Sequence, residues 1–191
     1  MNTREVQEAL RTIGWPITVD GSFGEATKQA VTDFQRGWAP YNLLIDGYAG
    51  PQTQEALKLC VWKDGLASPH FRFREFASKG NGWIRVNRHL IRGLELIRGR
   101  YGPFTPVSGY RDPIHNRKVG GAPNSQHVYG NAIDVPRSVG LSVPAVRNIG
   151  SFSGIGFRQS DGVVVHVDVR HLGPNTTGAS VKNPTIWRYA A

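Results

Sequence analysis

Cysteine is almost absent from this 191-residue sequence, which contains only Cys60. A single cysteine cannot form an intramolecular disulfide, so burial of apolar side chains, with or without a metal ion, has to stabilise the fold. Long apolar stretches are also missing, because no run reaches the roughly 18 residues that a membrane-spanning helix needs. We therefore expect no membrane partner and a buried, unreactive Cys60.

Acidic residues are scarce as well. Fourteen Asp and Glu stand against 23 Lys and Arg, giving a formal net charge of +9, which favours a polyanionic partner such as nucleic acid or an anionic cell envelope. Charge alone does not choose between these two. The basic residues are scattered, however, and zinc-finger, RNA-binding and polybasic-tail patterns are missing, so the prediction is no nucleic-acid partner. The N-terminal MNTREVQEAL also lacks the apolar core of a signal peptide, so none is expected.

An internal repeat occupies the first third of the chain. Residues 19–31 (VDGSFGEATKQAV) and 45–57 (IDGYAGPQTQEAL) share the pattern V/I-D-G-x-x-G-x-x-T-x-x-A-V/L. The Asp-Gly pair indicates a tight turn, and the second glycine, Gly24 or Gly50, is expected in a backbone conformation closed to other residues. Each turn leads into a short helix, and an amphipathic stretch precedes the first copy. Residues 1–60 are therefore predicted to be a three-helix domain.

A second unit follows the repeat. Residues 61–68 lose helical periodicity and are predicted to be a linker, which leaves 69–191 as the second domain. This domain has an amphipathic helix near residues 84–99, followed by short strands and turns rich in Gly and Pro. The predicted fold class is α+β: a small helical unit, then an α+β domain with a central antiparallel sheet.

Alternation of residue types in DGVVVHVDVR (161–170) predicts a strand, because side chains along a strand point to opposite faces in turn. His166 and Asp168 then share one face and suggest a lined site, although on this segment alone an ordinary solvent-exposed strand face is the alternative. The valines predicted to face the core are Val163, Val165, Val167 and Val169.

The segment SQHVYGNAIDV (125–135) contains two further candidate residues, with His127 predicted on a loop and Asp134 on a short strand. An aspartate within an apolar strand is costly to bury unless it is paired or binds a metal. Together with His166, two imidazoles and one carboxylate suit Zn²⁺ with a fourth position left open, the arrangement of catalytic zinc. On the residues alone, a hydrogen-bonded His–Asp pair in the core is an equal alternative.

The pattern S-x-H-x-x-G-x-A-x-D at 125–134, the preceding SGYRD at 108–112 and a later histidine on a strand resemble the zinc D-Ala-D-Ala peptidase family. That family shares a fold with lysostaphin-type peptidases and the hedgehog signalling domain. The resemblance covers roughly residues 71–171 and implies a zinc peptidase. The residues that it assigns are the zinc ligands His127, Asp134 and His166, the catalytic and substrate-facing cation Arg111, and the substrate contact Ser125.

The repeat, together with VQEALRTIGW before it, resembles the peptidoglycan-binding domain of wall hydrolases. The two resemblances together imply zinc-dependent hydrolysis of peptide bonds involving D-amino acids in bacterial peptidoglycan, by a monomeric endopeptidase acting as a lysin. Alternatives are a D-Ala-D-Ala carboxypeptidase and a catalytically inactive wall-binding protein. The expected absence of a signal peptide fits a phage endolysin, held in the host cytoplasm before release.

The proton carrier is not assigned by the resemblance. Several relatives have an acidic residue or a second histidine two or three positions before the last zinc ligand, where this sequence has valines. Asp168 is predicted to be the general base because it shares a strand face with His166. Asp161, in the preceding turn, is the alternative base. A third possibility is that Asp168 orients a metal ligand or Arg111 rather than carrying a proton.

Overall fold

The computed structural model describes residues 1–173 and 178–190. These residues form six α-helices and four β-strands, which confirms the α+β class with a helical unit first. The helices are α1 (Thr3–Thr12), α2 (Glu25–Gly37), α3 (Pro51–Trp62), α4 (Arg88–Tyr101), α5 (Pro113–Lys118) and α6 (Val143–Ile149). The strands are β1 (Ala132–Asp134), β2 (Gly154–Arg158), β3 (Val164–Asp168) and β4 (Thr185–Tyr189). Within the described ranges, no helix is long and apolar enough to cross a bilayer.

Each Asp-Gly turn of the repeat is held by a buried glutamine on the preceding helix. Gln7 of α1 donates through Nε2 to Asp20 Oδ1 and accepts from the backbone N–H of Gly21, both at 2.8 Å. Gln35 of α2 donates to Asp46 Oδ1 at 2.8 Å and accepts from the following backbone N–H at 2.9 Å. The same glutamines also donate to the threonine of each copy. The repeat motif is therefore a structural device that joins each helix to the next.

The left-handed backbone position of each turn is the first glycine, so the expectation for the second glycine is wrong. Gly21 and Gly47 have φ angles of +79° and +74°. Gly24 and Gly50 have φ angles of −83° and −68° and cap the N-termini of α2 and α3. The reason is that each Asp side chain accepts the N–H two residues further on, which places the bend at the glycine between them.

The helical unit and the sheet-containing unit share one hydrophobic core. Trp15 and Phe34 of the first unit lie against Phe73 of the second, with ring centroids 5.0 and 5.4 Å apart. The predicted linker, residues 61–68, takes part in this packing, since Ala67 is fully buried. The two units therefore contact each other through apolar side chains over a continuous interface.

Charged side chains complete the contact between the two units. Asp33 of α2 is only 1% exposed and accepts from Arg85 Nε at 3.0 Å and from Trp83 Nε1 at 2.9 Å. Arg88 begins α4 and donates to the backbone carbonyl of Gln35 at 2.6 Å. This bond places a cation at the C-terminal end of α2, where the helix dipole favours positive charge.

The helix predicted near residues 84–99 begins later, at Arg88. Asn87 accepts the backbone N–H of His89 at 3.0 Å and so caps the helix. Val86, which fits the apolar period of the helix, is buried from the extended segment before this cap. Apolar periodicity alone therefore places the start of α4 too early.

The four strands form one sheet in the order β1-β3-β2-β4. Strands β1 and β2 each pair antiparallel with β3, as the sequence predicts. Strand β4 differs because it pairs parallel with β2. Strand β3, which follows β2 in the sequence, returns the chain to the end of the sheet where β2 starts. Strand β4 begins at that same end and therefore runs parallel to β2.

A β-bulge changes the valine pattern of β3. The register between β2 and β3 shifts by one residue, which leaves Val165 as an extra residue. Val165 consequently lines a cleft on the sheet, whereas Val164 is fully buried in the core. The prediction of a core position is therefore wrong for Val165 and for the half-buried Val163, whereas Val167 and Val169 are fully buried as predicted.

Candidate metal centre

Three side chains meet in the cleft on the sheet. His127 lies on the loop before β1, Asp134 ends β1, and His166 lies within β3. The antiparallel register places Asp134 opposite His166. One ligand atom from each of the three residues lies within 4.8 Å of the others, and we call these three residues the metal cluster. The cleft has a volume of about 940 Å³ and leaves the cluster accessible from one side.

The two imidazoles present different nitrogens to the cluster. His127 Nδ1 lies 2.7 Å from the carbonyl oxygen of Gly109, so Nε2 faces the cluster. His166 Nε2 lies 3.1 Å from Asp168 Oδ2, so Nδ1 faces the cluster. Each outer nitrogen can donate its proton to an acceptor, which leaves a lone pair on the inner nitrogen of each ring.

The inward-facing atoms have the spacing of metal ligands. Asp134 Oδ1 lies 3.2 Å from His127 Nε2 and 3.1 Å from His166 Nδ1, and the two nitrogens are 3.2 Å apart. Ligands at about 2.0–2.1 Å from a tetrahedral zinc ion are about 3.3 Å from one another, which is close to these separations. Two lone pairs at this distance also need a cation or a proton between them. The donor set therefore fits zinc.

Burial and contacts within the cluster shift the pKa values of all three residues. Burial lowers the pKa of His127. Burial raises the pKa of Asp134, but hydrogen bonds with His127 and His166 outweigh this effect and hold it well below its usual range. Burial lowers the pKa of His166, but Asp134 and Asp168 outweigh burial and raise it. Asp134 is therefore ionised at neutral pH, as a metal ligand has to be.

Arg111 and Ser125, the predicted substrate contacts, both line the cleft. Arg111 contacts Asp134 Oδ2 through Nη2 and donates through Nε to Ser108 Oγ at 2.9 Å. Asp134 thus offers one oxygen to the cluster and the other to Arg111. The hydroxyl of Ser125 accepts the backbone N–H of His127 at 3.3 Å, which ties it to the loop that carries this ligand.

Asp168, the predicted base, lies on the far side of the His166 ring from the cluster. It is fully buried, and Arg170 donates to its two oxygens at 3.0 and 2.7 Å. Burial raises the pKa of Asp168, but hydrogen bonds with His166 and Arg170 outweigh burial and lower it to about 2. Gly154 on β2 approaches this carboxylate so closely that a Cβ would collide with it. These contacts favour a role in orienting His166.

Asp161, the alternative base, lies in the turn between β2 and β3. Its Oδ2 accepts from Arg137 Nε at 2.7 Å, and its Oδ1 accepts the backbone N–H of Val163 at 3.0 Å. Asp161 is not one of the described residues that line the cleft. The structure therefore brings Asp168, but not Asp161, into contact with the metal cluster.

One wall of the cleft was missed by sequence reasoning. Trp187 and Tyr189 of β4 line it, and the Trp187 ring lies 5.0 Å from the His166 ring and 4.6 Å from the guanidinium carbon of Arg170. The segment TIWRY at 185–189 carries the signal, because its first, third and fifth residues share one strand face. Arg170, which also lines the cleft, could be found by the same spacing, because it follows Asp168 by two residues. The strand itself ends at Asp168.

Residues 61–168, which include the metal cluster, match the family model described as Peptidase M15. Residues 2–57, which include the helical repeat, match the model described as putative peptidoglycan binding domain. The chain is also similar to the zinc D-Ala-D-Ala carboxypeptidase of Streptomyces albus G, with 34% identity over 147 residues. That alignment covers 68% of this chain and 56% of the relative, so the chain spans just over half of the relative's length.

Proposed function

This chain belongs to the peptidase M15 family, and on that premise we propose that it is a zinc-dependent peptidase that hydrolyses peptide bonds involving D-amino acids in bacterial peptidoglycan. The observation that carries the proposal is the metal cluster, in which the inward-facing atoms of His127, Asp134 and His166 are 3.1–3.2 Å apart. When bound, zinc supplies a Lewis acid that polarises the scissile carbonyl and activates water. The cleft gives a peptide access to this position.

The protein groups around the cluster have separate proposed tasks. The Gly109 carbonyl and the Asp168 carboxylate hold the two imidazoles in the orientation that zinc needs. Arg111 supplies positive charge to the substrate carbonyl oxygen, on which negative charge develops during amide hydrolysis. Ser125 contacts the substrate from the cleft wall. The location of Arg111 beside Asp134 in the cleft supports its assignment.

Amide hydrolysis also requires a group that takes a proton from water and returns one to the departing amine. Asp168 remains the candidate base because it is the one carboxylate, apart from the ligand Asp134, among the described residues that line the cleft. Its contacts with His166 and Arg170 support the positioning role more strongly, since both carboxylate oxygens are occupied. Substitution of Asp168 distinguishes these two roles, because loss of a base lowers turnover whereas loss of a positioning residue lowers zinc affinity.

We assign wall binding to the helical repeat unit at residues 1–60, which the match to a peptidoglycan-binding domain supports. A unit that binds an insoluble polymer raises the local concentration of its peptides around the cleft without adding a contact to the substrate. The shared core fixes the position of the cleft relative to the helical repeat unit.

The finer proposal is an endopeptidase that cuts within the wall as an endolysin, with phage origin and release from the host cytoplasm as parts of the same proposal. A second candidate is a carboxypeptidase that removes terminal D-alanine. The similarity to the Streptomyces zinc D-Ala-D-Ala carboxypeptidase favours this second candidate. Both candidates use the same metal cluster, and they differ in which peptide bond reaches it.

Incubation of the full-length chain with purified sacculi tests the proposal. One sample receives no addition, a second receives a chelator, and a third receives the chelator followed by excess zinc. Mass spectrometry of the soluble products then identifies the bond: an endopeptidase releases shortened or uncrosslinked muropeptides, whereas a carboxypeptidase releases free D-alanine. Zinc-loaded protein that produces neither, or cleavage that is unchanged by the chelator, would overturn the proposal.

A further inference from the structure

Arg158, at the end of β2, is an arginine of the cleft with little compensation for its charge. It lines the cleft, and its buried Nε has no hydrogen-bond partner among the described residues. Asp161 Oδ2 is 3.9 Å from this nitrogen and is held at 2.7 Å by Arg137 instead. The Arg158 side chain as a whole is 42% exposed, so it is open to a ligand in the cleft.

The other two arginines of the cleft are already occupied. Arg111 contacts Asp134, and Arg170 donates to both oxygens of Asp168. Three arginines and two aspartates therefore line the described part of the cleft, so its charge is positive before any divalent cation binds. Among these three arginines, Arg158 is the one without a carboxylate at hydrogen-bond distance, since Asp161 lies 3.9 Å away, and this makes it available to an anionic group of a bound peptide.

The sheet register places Arg158 close to the metal cluster. Gly156 pairs with His166, and Arg158 lies two residues further along β2 on the same face. Two residues span about 6.6 Å of strand, which is also the length of about two residues of an extended peptide. Arg158 pairs across β2 and β4 with Tyr189, whose side chain lines the cleft too. Arg158 and Tyr189 are thus neighbours across the sheet, and Arg158 lies one or two substrate residues along β2 from the position opposite His166.

We propose that Arg158, flanked by Tyr189, forms a carboxylate-binding subsite that selects peptides with a carboxylate one or two residues from the scissile bond. This inference rests on the proposed peptidase function. The planar guanidinium donates two parallel hydrogen bonds to a carboxylate, a geometry that a lysine ammonium cannot match. The carboxylate is either the C-terminal one of the peptide or the side chain of an acidic residue, and the two sources share the same chemistry at Arg158.

Three peptides distinguish the sources. The first ends in D-Ala-D-Ala with a free carboxylate, the second is its C-terminal amide, and the third is that amide with a D-glutamate side chain two residues before the scissile bond. We measure kcat and KM with the zinc-loaded full chain. We expect either the first or the third peptide to exceed the second, the plain amide, in kcat/KM by about 10- to 100-fold, the usual contribution of a hydrogen-bonded charge pair. Preference for the first or the third peptide identifies the source.

In Arg158→Gln that preference should disappear, whereas hydrolysis of the plain amide should stay within about two-fold of wild type. Arg158→Lys should retain part of the preference, because it keeps the charge without the planar fork. Arg188→Gln is the matched control, since Arg188 is exposed on β4 and is not one of the described residues that line the cleft. Thermal melts of all three variants confirm folding, and a merely structural role of Arg158 would affect the three peptides alike.

Hydrolysis of all three peptides with no preference for a carboxylate, in wild type, would overturn this inference and leave the proposed function intact. A preference that survives in Arg158→Gln would overturn it as well. Hydrolysis of none of the three by zinc-loaded wild type that still cleaves sacculi would overturn the inference alone, whereas inactivity on both the peptides and sacculi would overturn the proposed function as well.

Discussion

The carboxylate of Asp168 lies 3.1 Å from the outer nitrogen of His166, on the side of the ring that faces away from the metal cluster. Arg170 donates to both oxygens of this carboxylate, at 3.0 and 2.7 Å. Contacts from Arg170 to Asp168 and from Asp168 to His166 thus fix the imidazole with Nδ1 towards the cluster. A residue with these contacts acts on the metal through the ligand that it orients.

The first prediction follows from this contact. Asp168→Asn should weaken zinc affinity by about 10- to 100-fold, because the ring of His166 loses its charged acceptor, and added zinc should restore much of the rate. Competition with a chelator gives the affinity, and initial rates at increasing free zinc give the recovery. If Asp168 is instead the base, the variant keeps its zinc and loses turnover by roughly 10²- to 10⁴-fold at every zinc concentration.

Two further variants sharpen that test. Gly154→Ala leaves the chemistry of Asp168 unchanged but places a Cβ against its carboxylate, so it should also weaken zinc binding. Asp161→Asn is the control, because Asp161 contacts Arg137 and lies outside the described cleft lining. Cleavage near the wild-type rate in Asp168→Asn, together with an inactive Asp161→Asn, would identify Asp161 as the proton carrier and contradict the positioning role.

The second prediction is the metal content. Purified protein dialysed against metal-free buffer should hold about one zinc ion per chain, and His166→Ala should hold much less, since removal of one of three protein ligands opens the site. His89→Ala is the matched control, because His89 is exposed and does not line the cleft that contains the cluster. Elemental analysis that finds no zinc in wild type, or full occupancy in His166→Ala, would contradict the assigned ligands.

The residue types of the candidate site could be predicted from sequence, but its orientation could not. His127 and Asp134 belong to one short motif, and His166 follows from strand alternation. Which nitrogen each ring presents depends on partners such as the carbonyl of Gly109, 18 residues before His127. Likewise, the bulge that turns Val165 into the cleft depends on how β2 pairs with β3. These features arise from packing between segments that are distant in the sequence, so a local sequence pattern does not predict them.

The fold shows the same limit. Helical periodicity predicted the three-helix unit, because each helix has its own apolar stripe, but it did not indicate what that stripe packs against. The contact between Asp33 and Arg85 joins residues 52 positions apart. Residues 61–68 resemble a linker because their apolar residues lack helical periodicity, yet Ala67 within this segment is fully buried. Loss of periodicity marks the end of a helix and does not show that the segment is free of contacts.

The third prediction concerns this shared core. Phe73→Ala should reduce the free energy of unfolding by about 3–5 kcal/mol, since it removes a fully buried ring between the two units. Unfolding should remain a single transition in calorimetry and denaturant titration. Trp62→Ala is the control, because Trp62 is 79% exposed and its loss should change stability by about 0.5 kcal/mol or less. Two separate transitions, with only one shifted by Phe73→Ala, would show that the units fold independently.

The fourth prediction concerns pH and the loop that carries Arg111. Burial raises the pKa of Asp112, but hydrogen bonds from the Ser78 hydroxyl and from the backbone N–H groups of His115 and Ile114 outweigh burial and lower it. A lowered pKa stabilises the fold above the unfolded value of about 3.9, and this contribution is lost as pH falls through the lower native value. Asp112→Ala should therefore cost about 1 kcal/mol at neutral pH and progressively less below about pH 4. Urea titrations at several pH values measure the difference, and a penalty that stays constant down to pH 2 would contradict this account.

The last prediction concerns the net charge of +9. If this charge attracts the chain to an anionic wall, the amount that sediments with sacculi should fall as salt is added, because the screening length decreases from about 8 Å at 0.15 M to about 3 Å at 1 M. Wall binding by shape and neutral hydrogen bonds would instead resist salt. Equal sedimentation at low and high salt would therefore show that the charge plays no part in wall binding.

Duplex DNA serves as the competing polyanion in this test of wall binding, since its attraction to a basic protein depends on salt in the same way. Release of the chain from sacculi by a modest excess of DNA would favour a nucleic-acid partner over the wall, whereas retention on sacculi would show that the chain recognises more than negative charge.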